Sequence, residues 1–232
     1  MTQWLPGLCV LLLGALPVAD ASAQEQAVAE AQIVRMSELV ADTLPLGLML
    51  DTVSNMDPAW PFQDNPDVVD AGQLACVRGE MGRDRLGALL VKRVRTYARA
   101  NPGRLQDDMR LLEGPGARLF SRIIVAGMAP LSNGGIESPS PDDVIAATTP
   151  DEFSAMFQLF NDAQYGALRE LLGFPAQMNM SQGEAAGRAM GATFMVPMLM
   201  DAFGACGVPM SVLTSGKDAG GDRSNSKKKR GD

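Results

Sequence analysis

Thr149 to Phe160 reads TPDEFSAMFQLF. Thr149 can cap a helix, Pro150 suits its first position, and Asp151 and Glu152 favour the positive end of its dipole. Glu152 also stands at the capping-box distance from Thr149. Phe153, Met156, Phe157 and Phe160 then fall at i, i+3, i+4 and i+7, the period of an apolar helical stripe. Every signal in these twelve residues predicts the same structure, a helix.

The pattern recurs outward. Asn65-Pro66-Asp67, Asn101-Pro102 and Ser140-Pro141-Asp142-Asp143 read as helix starts, and Ser181 to Glu184 has the capping-box spacing. Met36, Leu39, Val40 and Thr43, with Leu44 beside them, repeat the apolar period, as do Phe120, Ile123, Ile124 and Gly127. Alternating runs and hairpin dipeptides are scarce. Helices are predicted near 25–44, 66–81, 84–100, 103–112, 115–129, 141–148, 150–172 and 182–206. The fold class is all-α, a bundle of antiparallel helix hairpins. Its main loops are 54–65 and 131–140, and the second is where two lobes would divide.

The ends set the compartment. Leu8 to Leu16 is a short apolar run, broken by Pro17 and followed by Ala21-Ser22-Ala23. That run is too short to span a bilayer but suits a signal peptide over residues 1–23, cleaved near Ala23. The leader has no Lys or Arg. Residues 24–215 form the expected helical domain. From Gly216 to Asp232 there is no large apolar residue, so the segment cannot offset its ordering entropy and is predicted to be disordered. Its Lys227–Arg230 cluster either solubilises the chain or makes peripheral contact with an anionic membrane or acidic partner.

Charge is uneven. The total is −7, and setting aside Asp20 and the +3 tail leaves −9 for the body. Arg78 to Arg122 nevertheless holds 11 basic and 5 acidic residues. An acidic exported protein with no basic, aromatic-lined stripe is not expected to bind nucleic acid. Cys76 and Cys206 are the cysteines left after leader removal, and in an oxidising compartment they most simply form one bridge. The alternative is two separate buried thiols.

Two stretches look alike. Leu105 to Phe120 reads LQDDMRLLEGPGARLF, and Phe153 to Leu168 reads FSAMFQLFNDAQYGAL. Each has an apolar helix, a break, then a helix beginning near a glycine. This arrangement resembles the exported bacterial domain-of-unknown-function family 2059, with its Phe-Tyr-x-Ser-Pro-x-Gly-x-x-Leu pattern. Leu111, Leu112, Gly114, Pro115, Ala117 and Phe120 fall on that pattern, with the aromatic pair, serine and glycine replaced. Gly166 comes into place with a one-residue shift. The resemblance spans about half of the mature chain and implies an all-helical periplasmic protein of Gram-negative type. It implies no catalytic residues.

The chain has no histidine, which removes Ser–His and Cys–His catalysis and histidine metal sites. No phosphate-binding loop occurs, and Gly114-Pro115-Gly116 follows a helix rather than a strand. Acid pairs stand at Asp107-Asp108, Asp142-Asp143 and Asp151-Glu152, and a glycosidase could in principle use two carboxylates, but the last two pairs sit where helix starts want negative charge. Trp60 is the tryptophan of the mature chain available for stacking on a sugar. No enzyme activity, cofactor or resident metal is expected.

The remaining candidates are surfaces. Met195, Met198 and Met200 have a spacing seen in Cu(I) thioether sites, or they pack as ordinary apolar side chains. Gly183, Gly187 and Gly191 fall on one helix face, where small residues let a second helix approach closely. That helix belongs to this chain, to a second subunit or to a client. Residues 189–214 also have the length of a membrane span, but Asp201, Arg188, Pro197 and Pro209 interrupt it. Arg85, Lys92, Arg95 and Arg99 line one side of the 84–100 helix, opposite Leu86, Leu89, Leu90, Val94 and Tyr97. They form a solvated face or dock an anionic surface. The expected function is a non-catalytic periplasmic protein acting through a protein partner, self-association or the envelope. The alternatives are a methionine-based Cu(I) binder and a C-terminally anchored protein.

Overall fold

A computed structural model describes residues 18–63, 65–131, 139–177 and 183–213. The leader's apolar run, the basic tail, most of the 131–140 loop and the Ser181 cap lie outside the described residues. Among the described residues there are ten α-helices and no strand. The all-α expectation holds.

The helices are α1 (Val18–Thr43), α2 (Leu46–Met56), α3 (Ala71–Glu80), α4 (Arg83–Ala100) and α5 (Leu105–Leu112), then α6 (Pro115–Met128), α7 (Pro141–Ala146), α8 (Pro150–Asn161), α9 (Gly166–Leu171) and α10 (Gly183–Cys206). α1 packs against α4, α5 and α6. α6 in turn carries α7 and α8, while α4 carries α9 and α10, and α3 closes on α10. One core joins residues before the 131–140 loop, such as Met36, Val40 and Leu90, to residues after it, such as Leu168, Phe194 and Phe203.

Local chemistry explains most boundaries. Ser140 and Thr149 each cap a helix with a complete capping box, closed by Asp143 and Glu152. Met36, Leu39, Val40, Thr43 and Leu44 are all buried, so the apolar period of α1 is its core face. Phe120, Phe160 and Phe174 meet with centroids 4.6 to 5.7 Å apart, joining α6 and α8 to the segment after α9. Such ring pairs contribute roughly 0.5–1.5 kcal/mol each beyond area burial.

Several expectations need correction. α1 begins at Val18, before the expected start at 25. α2 stands where no helix was expected; its N-cap is Pro45, which offers no side-chain acceptor, so the usual start signal is missing. Asn101 ends α4 rather than starting the next helix, and its Nδ2 donates back to the Tyr97 carbonyl. Pro66 to Val68 is a short 3-10 turn, and α3 starts after Asp70 with a capping box to Gln73. The 150–172 helix is two, because Asp162 takes an extended conformation and caps a 3-10 turn before α9. Phe153 and Phe157 are 51% and 53% exposed, so the core face of α8 is carried by Leu159 and Phe160 instead.

The groove between α4 and α10 as candidate functional site

The predicted bridge exists: Cys76 of α3 is joined to Cys206 at the end of α10, with Cα atoms 5.8 Å apart. It fixes the C-terminal end of a helix whose packing is lopsided. Phe194, Met198, Ala202 and Phe203 are buried, and Phe203 stacks on Phe62 with centroids 5.6 Å apart. Val196 and Met200 are 49% and 52% exposed. From Gly187 to Cys206 the mean hydropathy is 1.4 and about 22% of the stretch is buried, which makes this helix long and apolar enough to cross a membrane by length and composition alone.

α4 supplies the opposite wall. Leu86, Leu90, Val94 and Tyr97 face the core, so Arg85, Lys92 and Arg99 are left outward. Arg85 and Lys92 meet α10 along a groove of about 570 Å³, with Leu89 at its floor and Met198, Met200 and Asp201 across from them. Part of the basic stripe, Arg85 and Lys92, and part of the methionine-rich helix, Met198 and Met200, two separate candidates in the sequence, are walls of one groove, which Glu80 and Asp201 also line. Arg85 is paired with Glu80 at 2.5 Å, and Arg95 turns away to Glu30 of α1. Lys92 and Arg99 have no ion pair among the described residues.

The groove continues past Pro197 into a second hollow of about 450 Å³ that shares Leu89 and Lys92. Its floor is organised by Arg93. That guanidinium donates to the carbonyls of Glu170 and Leu171 at 3.0 and 3.2 Å and lies 4.9 Å from the Phe194 ring centroid. Burial lowers the Arg93 pKa from its ordinary value. Arg93 thus ties α4 to α9 and α10, a role the sequence signals only by its position between the basic stripe and the apolar face.

The glycine expectation divides. A Cβ added to Gly187 or Gly191 meets no atom within 4 Å, so no other helix among the described residues packs on them. Gly183 is the first residue of the same helix. Among the described residues, Gly187 and Gly191 have no internal helix partner. Close approach occurs elsewhere, at Gly173. Its φ is +80°, and a Cβ there would sit 2.8 Å from Phe194 Cε2 and 3.3 Å from Met190 Cα. The methionines differ in their surroundings: Met198 is buried, Met195 half-buried and Met200 exposed.

The acid pairs are structural in their contacts. Asp107 is exposed and paired with Arg110, whereas Asp108 is fully buried and accepts from Tyr97 Oη and from Arg104 Nη2 at 3.0 Å. Desolvation, with the adjacent Asp108 carboxylate second, raises the Tyr97 pKa. Hydrogen bonds to Ser140 and Thr149 lower those of Asp143 and Glu152. Trp60 is 7% exposed and offers no platform for a sugar. Arg169, also missed in the sequence, is 1% exposed and donates to the carbonyls of Leu159, Asp162 and Ala176, fastening the α8–α9 turn. Burial lowers its pKa.

Comparison with known protein families, curated proteins and solved structures finds no match to this chain.

Proposed function

We propose that this is an exported, non-catalytic helical protein of the periplasm that works by holding another polypeptide in the α4/α10 groove. One observation carries this reading: a long apolar helix, fastened by a disulfide, leaves Val196 and Met200 about half exposed beside a groove lined by a lysine with no ion pair among the described residues. Exposed apolar faces rimmed by polar residues mark interaction sites. The leader sequence, the bridge and the resemblance to domain-of-unknown-function family 2059 support the compartment. The lack of histidine supports a role without catalysis.

The test is site-specific photo-crosslinking in the native envelope. A photoreactive residue at Met200 or at Lys92 should trap a polypeptide, and one at exposed Gln106 of α5 should not. Equal trapping at all three positions, or none at any, would sink the proposal. Retention of the chain in the membrane pellet after alkaline carbonate would instead make α10 a bilayer span.

A further inference from the structure

A separate hollow of about 590 Å³ lies where the end of α1 meets α6, α7 and α8. That volume falls within the roughly 300–1,000 Å³ of small-ligand pockets. Leu112, Val125, Ala126 and Val144 give it an apolar wall, and Asp42, Arg118, Arg122 and Glu152 are the charged residues that also line it. Two of these four neutralise each other, since Arg122 pairs with Glu152 at 2.7 Å. Asp42 and Arg118 are exposed and have no ion pair among the described residues. Arg118 donates from Nη1 to the neutral Glu113 carbonyl, which leaves further N–H groups of its guanidinium for a carboxylate.

The backbone reinforces both charges. Asp42 is the penultimate residue of α1, whose last turn has no basic residue, so its carboxylate adds to the negative end of a helix dipole. A cation is what such a place attracts. Arg118 is the fourth residue of α6, whose first turn holds no acidic residue and whose N-cap, Gly114, offers no side-chain acceptor. It therefore adds to a positive helix end, which attracts an anion. The two places are neighbours, because Ser121, three residues after Arg118, donates to the Asp42 carbonyl at 2.6 Å. Three helical residues rise about 4.5 Å, and two extended residues span at most about 7 Å. We infer that this hollow binds a short apolar peptide as its zwitterion, with the ammonium at Asp42, the carboxylate at Arg118 and the side chains against Val125 and Val144. A wholly apolar ligand would leave both charges unanswered, and a simple anion would leave Asp42 facing it. The site shares no lining residue with the α4/α10 groove.

Isothermal titration calorimetry of the purified exported protein with leucyl-leucine tests it. Saturable binding is expected, and N-acetylation or C-terminal amidation of the dipeptide should each weaken it by about tenfold or more. Glycyl-glycine, which keeps both charged ends but lacks apolar side chains, should also bind at least about tenfold more weakly. Asp42→Asn should bind leucyl-leucine and its N-acetyl form alike, yet still prefer the free acid to the amide. Arg118→Gln should do the reverse. Both positions are exposed, so both variants should melt like wild type. No heat at millimolar leucyl-leucine would overturn the inference, as would a dipeptide blocked at both ends that binds as tightly as the free one. Variants that keep the wild-type preferences would overturn it too, since the two ends would then be read by other groups.

Discussion

Gly116 of α6 lies directly against the backbone of Met156 in α8: a Cβ added to the glycine would sit 2.4 Å from the Met156 nitrogen, and 2.5 Å from the Ala155 carbonyl carbon. Backbone cannot rotate away as a flexible side chain can. Gly116→Ala should therefore separate α6 from α8 and cost about 1–3 kcal/mol or more in urea unfolding. A variant with wild-type stability would show that the helices are not in contact here.

Gly187 gives the opposite expectation. With open space around its Cβ position, Gly187→Ala should stabilise the monomer by about 0.5–1 kcal/mol, the helix-propensity difference. Gly187→Leu should melt like wild type, and a loss of several kcal/mol would mean that an internal helix covers this face after all.

The bridge closes a loop with a sequence separation of 130. In the chain-entropy model its removal costs about 5 kcal/mol, less whatever structure the reduced unfolded chain retains. The Cys76→Ala, Cys206→Ala double variant should show this loss in denaturant titration. Non-reducing peptide mapping of the native protein should recover the two cysteines in one cross-linked peptide.

Asp108 is the buried charge on which two other groups depend. Asp108→Ala leaves the Tyr97 hydroxyl and the Arg104 guanidinium without their acceptor and should cost about 3–5 kcal/mol. Tyr97→Phe removes one donor but keeps the ion pair, so its cost should be nearer 1 kcal/mol. Urea titrations of both variants that returned equal losses would refute this ordering.

Acid should loosen the α7–α8 corner. The Asp143 and Glu152 pKa values are lowered in the folded state from ordinary values of 3.8 and 4.5 by their capping hydrogen bonds. Folding therefore gains from both carboxylates above those ordinary values, and the gain disappears as pH falls through the lowered folded values. Melting temperature should drop between about pH 5 and pH 3, and Glu152→Gln should flatten part of that drop. A variant with the full wild-type slope would show that the Glu152 cap is not coupled to folding.

What was legible in the sequence follows from how local each feature is. The Ser140 and Thr149 caps are decided within four residues, and both appear as read. Cys76 and Cys206 could be paired because the expected compartment and the cysteine count leave few choices. Helix α2 could not be read, because Pro45 hides its start and its stability comes from burying Leu46 and Leu50 in the tertiary core. Phe153 and Phe157 share the period of a buried stripe, yet the crossing of α8 on α6 turns them outward. The same crossing selects Gly116 as the close contact, where the sequence shows only a Gly-Pro-Gly helix start. Asp108 and Arg169 carry charges that normally stay in water; Arg104 stands four residues before Asp108, but Tyr97 and the carbonyl partners of Arg169 lie seven to eleven residues away. The candidate groove was legible as two unrelated strips of residues; only the docking of α10 beside α4 makes them one place.

The Cys76–Cys206 link also decides how the protein responds to a protease. A single backbone cut anywhere between the two cysteines leaves both fragments covalently joined. Nicked protein would run as one band on a non-reducing gel and as two after thiol treatment. Damage between the cysteines would thus go unrecorded in intact size, and α10 would remain fastened to α3 after the chain linking them had been severed.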